Sequence, residues 1–110
     1  MFCRVFCADV SGIDAYTICV EVDGSGRLPS FNMVGLPSSE VRESKERLER
    51  AIINSGYDFP SRRITVNLSP ANVRKQGSGF DLPIALALLS CMGVVSENRI
   101  KDLMFVGELS

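Results

Sequence analysis

Asp81-Leu82-Pro83-Ile84-Ala85-Leu86-Ala87-Leu88-Leu89-Ser90-Cys91-Met92 is the stretch on which the fold turns. Its apolar residues follow no single stripe. A helix over 81–92 would be apolar nearly all round, and such a helix is stable only when buried. The run is too short to cross a bilayer, and Pro83 and Ser90 interrupt it. Proline is tolerable in a first helical turn, Asp81 stands where a carboxylate can cap the helix, and Gly93 supplies the stop. A helix of this kind needs a sheet to lie on, with Leu82, Ile84, Ala85, Leu88 and Leu89 inaccessible.

The flanking sequence supplies strands. Residues 2–10 are rich in strand formers. In 15–23, Tyr16, Ile18, Val20 and Val22 alternate with Thr17, Cys19, Glu21 and Asp23, the period of a half-buried strand. Turns at Ser11-Gly12 and at Asp23-Gly24-Ser25-Gly26 separate these from a third strand over 31–34, which is expected to close an opening meander. The segment Leu36-Pro37-Ser38-Ser39-Glu40 reads as a helix start with a serine cap, and the helix is expected to run to about Ser55, with Gly56 as its stop. Val41, Leu48, Ala51 and Ile52 form its apolar stripe, while Glu43–Arg47 and Glu46–Arg50 have favourable ion-pair spacing. Ile64, Val66 and Leu68 alternate with Arg63, Thr65 and Asn67 in a fourth strand, a loop covers 69–80, and 103–109 reads as a final strand. The expectation is a single α/β (α+β) domain over residues 1–110, a mixed sheet with two main helices, read as one piece of a larger protein.

Composition narrows the chemistry. The 110 residues are 45% hydrophobic and 23% charged with a net charge of −1, so one ordinary core is expected and no global field selects nucleic acid or a membrane. No histidine is present, which removes Ser-His and Cys-His nucleophile pairs. The four cysteines, Cys3, Cys7, Cys19 and Cys91, form no C-x-x-C pair. They read as small hydrophobes in a reducing, cytoplasmic setting rather than as a metal site, with Cys3 and Cys7 on one strand face. No run matches G-x-x-x-x-G-K-[ST]. Gly77-Ser78-Gly79 precedes a helix, so it reads either as an anion-binding turn or as a tight turn for packing. A Ser78–Lys75 catalytic pair is disfavoured by their closeness in sequence. From 59 to 80 there is no acidic residue, but Arg62, Arg63, Arg74 and Lys75 are present. They read as ordinary surface charge or as an anion or DNA contact, with the two pairs roughly 20 Å apart at opposite ends of the fourth strand.

Longer motifs carry a family resemblance. Val34-Gly35-Leu36-Pro37 followed by Val41-Arg42-Glu43-Ser44, the run from Asn54-Ser55-Gly56-Tyr57 through Ile64-Thr65-Val66-Asn67-Leu68, and Gly77-Ser78-Gly79-Phe80-Asp81-Leu82-Pro83-Ile84-Ala85 resemble the amino-terminal domain of magnesium-chelatase-like AAA+ ATPases of the ComM (YifB) type. The resemblance runs from about residue 9 to the end. It implies a Lon-protease-like domain with the fold of the second domain of ribosomal protein S5, followed in the parent by an ATPase module that uses ATP and magnesium. It also implies a hexameric parent that acts on DNA in branch migration and natural transformation. The partners so implied are the parent's own ATPase module, neighbouring subunits and DNA, and no membrane. Lon proteases carry K-x-G-P-S-A-G before their central helix. Lys75-Gln76-Gly77-Ser78-Gly79-Phe80-Asp81 is similar, but Gly79 falls at the nucleophile position and Ser78 lies one step early. Lon's partner lysine corresponds to a place beyond Ser110. The resulting expectation is a domain with no catalytic residue, metal or cofactor of its own, serving ring assembly or DNA guidance. A residual Ser-Lys peptidase and a magnesium-chelatase subunit are the alternatives.

Overall fold

The computed structural model describes residues 1–11 and 14–109. Four strands, β1 (Phe2–Ser11), β2 (Asp14–Ser25), β3 (Ser30–Val34) and β4 (Arg63–Ser69), form one mixed sheet in the order β1-β2-β4-β3. The helices are α1 (Ser39–Arg42), α2 (Ser44–Asn54), α3 (Asp81–Cys91) and α4 (Glu97–Ile100). This is an α+β domain: α3 lies across β1 and β2, and α2 packs beside α3.

Alternation decides which face is covered. Cys3, Val5 and Cys7 of β1, Ile18, Val20 and Val22 of β2, and Ile64, Val66 and Leu68 of β4 are all buried on the helix side. The ladder sets Val22 against Val66 and Val20 against Leu68, so the apolar residues of the two strands meet as cross-strand pairs. Tyr16, assigned to the buried face by its period, is exposed at the strand's beginning.

The third strand departs from the expected meander. β4 inserts between β2 and β3, and β3 pairs with β4 in parallel, Met33 opposite Val66. The arrangement follows from apolar content. β4 buries three aliphatic side chains and takes the interior position, while Ser-Phe-Asn-Met-Val buries only Met33 and suits an edge. A parallel neighbour requires a crossover, which α1 and α2 provide.

That crossover is two helices rather than one. Ser38 accepts a hydrogen bond from the Val41 N–H at 3.3 Å, the serine cap expected, but the helix breaks at Glu43 before α2 begins. Gly56, at φ 91°, ends α2 as expected. Among the described residues, the close ion pair within α2 is Lys45–Glu49 at 3.8 Å, and neither Glu43–Arg47 nor Glu46–Arg50 forms one.

Residues 103–109 do not form the expected strand. Met104 makes a single parallel bridge to Phe6 of β1, and the Phe105 N–H donates to the Phe6 carbonyl at 3.0 Å. The Gly107 N–H then donates to Gly79 O at 3.0 Å, and Gly107 O accepts from the Leu82 N–H at 2.9 Å. The segment divides its hydrogen bonds between β1 and the start of α3, so no continuous ladder develops. α4, between α3 and this segment, carries no strong periodic signal and buries only Ile100.

On α3, Ile84, Ala85, Ala87 and Leu88 are buried, and Leu82 and Leu89 are half-buried. Leu88, with no exposed surface, sits among core residues that cannot collapse far into a void. Leu88→Ala is therefore expected to lower unfolding free energy by about 2–5 kcal/mol, measured by urea titration. A loss under about 0.5 kcal/mol, the range of surface substitutions, would contradict a central α3.

Candidate functional site

The motif residues converge where β3 leaves the sheet. Gly35 has φ 105°, and a Cβ there would stand 1.9 Å from the Leu68 carbonyl oxygen, so only glycine allows the chain to pass β4. Leu36 follows at φ 58°, a left-handed conformation costing a side-chain-bearing residue about 1–2 kcal/mol. The loop after β4 holds this turn in place. The Lys75 N–H donates to Leu36 O at 3.0 Å, and the Ser38 N–H donates to Lys75 O at 2.8 Å.

Lys75 contributes its side chain as well. Its residue has no exposed surface, and Nζ donates to Gly35 O at 2.6 Å and to Pro70 O. Burial pushes the ammonium's pKa down, partly opposed by the negative charge of Asp9. The expectation of a surface phosphate contact is corrected for this residue. Lys75 points into the fold, because carbonyls from two loops solvate its charge there. Arg62, Arg63 and Arg74 are exposed. Arg62 and Arg63 stand at the start of β4 and Arg74 in the loop after its end, a span of roughly 20 Å along a seven-residue strand. The four residues thus form no single patch.

The glycine loop is likewise committed to packing. Gly77 has φ 86°, Ser78 O accepts from the Asp81 N–H at 3.2 Å, and a Cβ on Gly79 would lie 3.0 Å from Val106 Cγ1. Among the described residues no hydrogen bond joins Ser78 to Lys75, whose amine is bound to Gly35 and Pro70.

Asp81 does not cap α3. Phe80 occupies the cap position, and the Asp81 carboxylate, 1% exposed, takes a fork of two bonds from Arg47, Nε at 2.7 Å and one terminal nitrogen at 3.1 Å. The Leu109 N–H adds a third bond at 3.1 Å. The hydrogen bond that Arg47 donates to Asp81 raises the arginine's pKa further. A buried carboxylate needs a charged, geometrically matched partner more than an exposed helix glutamate does, which is why Arg47 leaves Glu43 for Asp81. Sequence reasoning missed this pair: 34 positions separate the two residues, and no local period links them.

Arg62 borders a cleft of about 180 Å³ between α2 and the turns flanking β3 and β4, together with Phe31, Lys45, Glu49 and Phe59. The two phenyl rings have centroids 6.4 Å apart, inclined at 41°.

These features define a class: a two-layer α+β domain whose glycine loop is anchored by an inward-facing lysine. The family model described as subunit ChlI of Mg-chelatase matches residues 20–110. The chain is 46% identical over 99 residues to YifB of Escherichia coli K12, and equally to YifB of Salmonella typhimurium, covering 90% of this chain and 20% of each relative. It is 39% identical over 99 residues to the competence protein ComM of Haemophilus influenzae, again covering 90% of this chain and 19% of the relative. The chain belongs to the ChlI family of magnesium-chelatase-like proteins and is of the ComM and YifB type. It spans about a fifth of the length of the curated relatives it matches.

Lys75→Met tests the anchor, because it keeps most of the side-chain volume and removes the donor. Two loop carbonyls then lose their partner, and a loss of about 2–4 kcal/mol in unfolding free energy is expected, read by urea titration. A change under about 0.5 kcal/mol would place Lys75 on the surface instead.

Proposed function

We propose that this chain is a non-catalytic domain of a ComM-type, magnesium-chelatase-like ATPase, and that it guides DNA toward the motor or supports assembly of the ring. ATP and magnesium belong, on this reading, to a separate ATPase module of the parent, and the domain's partners are that module, neighbouring subunits and DNA.

The observation that carries the non-catalytic reading is the fate of Lys75 and Gly79. The lysine is buried on Gly35 and Pro70, and the position of a Lon-type nucleophile is a glycine packed against Val106. An activated serine needs a base within hydrogen-bond reach, and Ser78 has none from Lys75. A fluorophosphonate serine probe is expected to leave Ser78 unlabelled under native conditions. Stoichiometric labelling of Ser78, mapped by peptide mass spectrometry, would restore the peptidase reading.

For DNA, the support is three exposed arginines, Arg62, Arg63 and Arg74, within an acid-free stretch, with Phe31 and Phe59 beside Arg62. Three phosphate contacts give a log–log salt slope between about −2 and −3 per domain, with little dependence on sequence. Affinity per domain stays weak until a ring multiplies it. In the full-length parent, replacing Arg62, Arg63 and Arg74 together with glutamate is expected to remove this part of the salt slope in gel-shift titrations while sizing chromatography shows the ring intact. If the ring falls apart and DNA retention per subunit is unchanged, these arginines serve assembly instead.

A further inference from the structure

Two of the four cysteines are brought together from opposite ends of the chain. Cys3 lies on the helix-facing side of β1, 7% exposed, and its ladder partner on β2 is Val22. Cys91 is the last residue of α3 and is half-buried. Its Sγ lies 3.7 Å from the Val22 carbonyl oxygen. Cross-strand partners have Cα atoms only about 4.5–5.5 Å apart, so the Cys91 sulfur sits over the same rung of the ladder as Cys3. Cys3 and Cys91 thus lie on the helix side of the sheet at one rung of the ladder. The other cysteines are placed differently. Cys7 lies four residues along β1 from Cys3, roughly 13 Å away. Cys19 alternates with the buried Ile18 and Val20 and so faces the other side of the sheet.

We propose that Cys3 and Cys91 are a dithiol modification site, which small disulfide oxidants of the glutathione class convert to an intramolecular disulfide joining β1 to the end of α3. The two thiols have distinct roles because their exposure differs. Cys91, reachable from solvent, loses its proton and attacks one sulfur of the oxidant. The oxidant's S–S bond breaks, a protein–glutathione mixed disulfide forms, and one glutathione thiolate departs. Cys3, buried beside it, then loses its proton and attacks the Cys91 sulfur, expelling the second glutathione thiolate. The two released thiolates take up the two protons. The protein loses two electrons and two protons, and the oxidant becomes two molecules of reduced glutathione.

Burial, and then the neighbouring Cys3, push the Cys91 thiol up to about 12, partly opposed by the nearby N-terminal ammonium. Only the thiolate attacks, so the reaction is slow at neutral pH and quickens about tenfold per pH unit through the range 7–9. Once formed, the bond closes a loop over nearly the whole described chain, which restricts the unfolded state and raises the melting temperature by at least about 10 °C, reversibly on reduction.

The test is incubation of the protein with oxidised glutathione at pH 8, followed by intact-mass measurement and non-reducing peptide mapping. The expected result is the loss of two hydrogen masses, with the peptides of Cys3 and Cys91 cross-linked. Cys3→Ser is expected to stop at a stable glutathionyl adduct on Cys91, whereas Cys19→Ser behaves as the parent chain. Four thiols that remain free, a link through Cys7 or Cys19, or an adduct on Cys91 that Cys3 never resolves would each overturn the proposal. The peptide map of the unmutated chain decides the matter even if Cys3→Ser fails to fold.

Discussion

A buried ammonium group solvated by two loop carbonyls is the constraint on which the rest of this structure depends. Lys75 has no exposed surface, and its amine binds the carbonyls of Gly35 and Pro70. Each contact resolves a difficulty that the fold itself creates. β3 runs parallel to β4, so the chain must leave the sheet sharply at Gly35 and pass through a left-handed Leu36 before α1 can begin. The backbone of Lys75 pairs with Leu36 and Ser38 while its side chain reaches Gly35, so one residue holds both sides of the turn. An isolated ammonium in such a place would be expelled or neutralised. Here the carbonyls replace water, although the lowered pKa shows that the replacement is incomplete.

A second polar tie joins the helices. Arg47 on α2 and Asp81 at the head of α3 form a forked pair, with the Leu109 N–H filling a further acceptor site on the carboxylate. This explains how 103–109 can remain extended without belonging to the sheet. Its amides are spent on Phe6, Gly79 and Asp81 in turn. Such a pair adds directional specificity to a contact that aliphatic packing alone would leave free to slide, since α3 is apolar nearly all round and has no preferred face.

How much of this was legible in the sequence depended on the range of the interaction. The alternation of Ile18, Val20 and Val22 and of Ile64, Val66 and Leu68 marked two strands and their buried faces, because a period of two is a local property. The length and apolarity of α3 marked its burial, and Ser38 and Gly56 marked the ends of the crossover. The order of the strands was not legible, because hydropathy does not say which neighbour a short strand such as β3 will choose. Lys75 and Arg47 were misplaced for a common reason. A charged residue reads as surface until its counter-groups are known, and these come from Gly35, Pro70 and Asp81, each more than a turn away along the chain or on another element. Arg62, Arg63 and Arg74 are exposed to water, as a charged residue without a buried counter-group is by default.

These two ties bear on the loop between them. Residues 75–81 begin with a lysine turned inward and end with an aspartate bound to an arginine, and Gly79 within them packs against Val106. A catalytic loop needs at least one polar group kept free and aimed outward, with a partner to activate it. In this loop the charged side chains at both ends are already engaged with the fold, and Gly79 carries no side chain. A Cβ at residue 79 would meet Val106 Cγ1 at 3.0 Å, and the Lys75 amine could turn toward it only by leaving Gly35 and Pro70 and releasing the turn that carries β3 into α1. Lys75 is thus committed, by side chain and backbone, to holding the Gly35–Ser38 turn that carries β3 into α1.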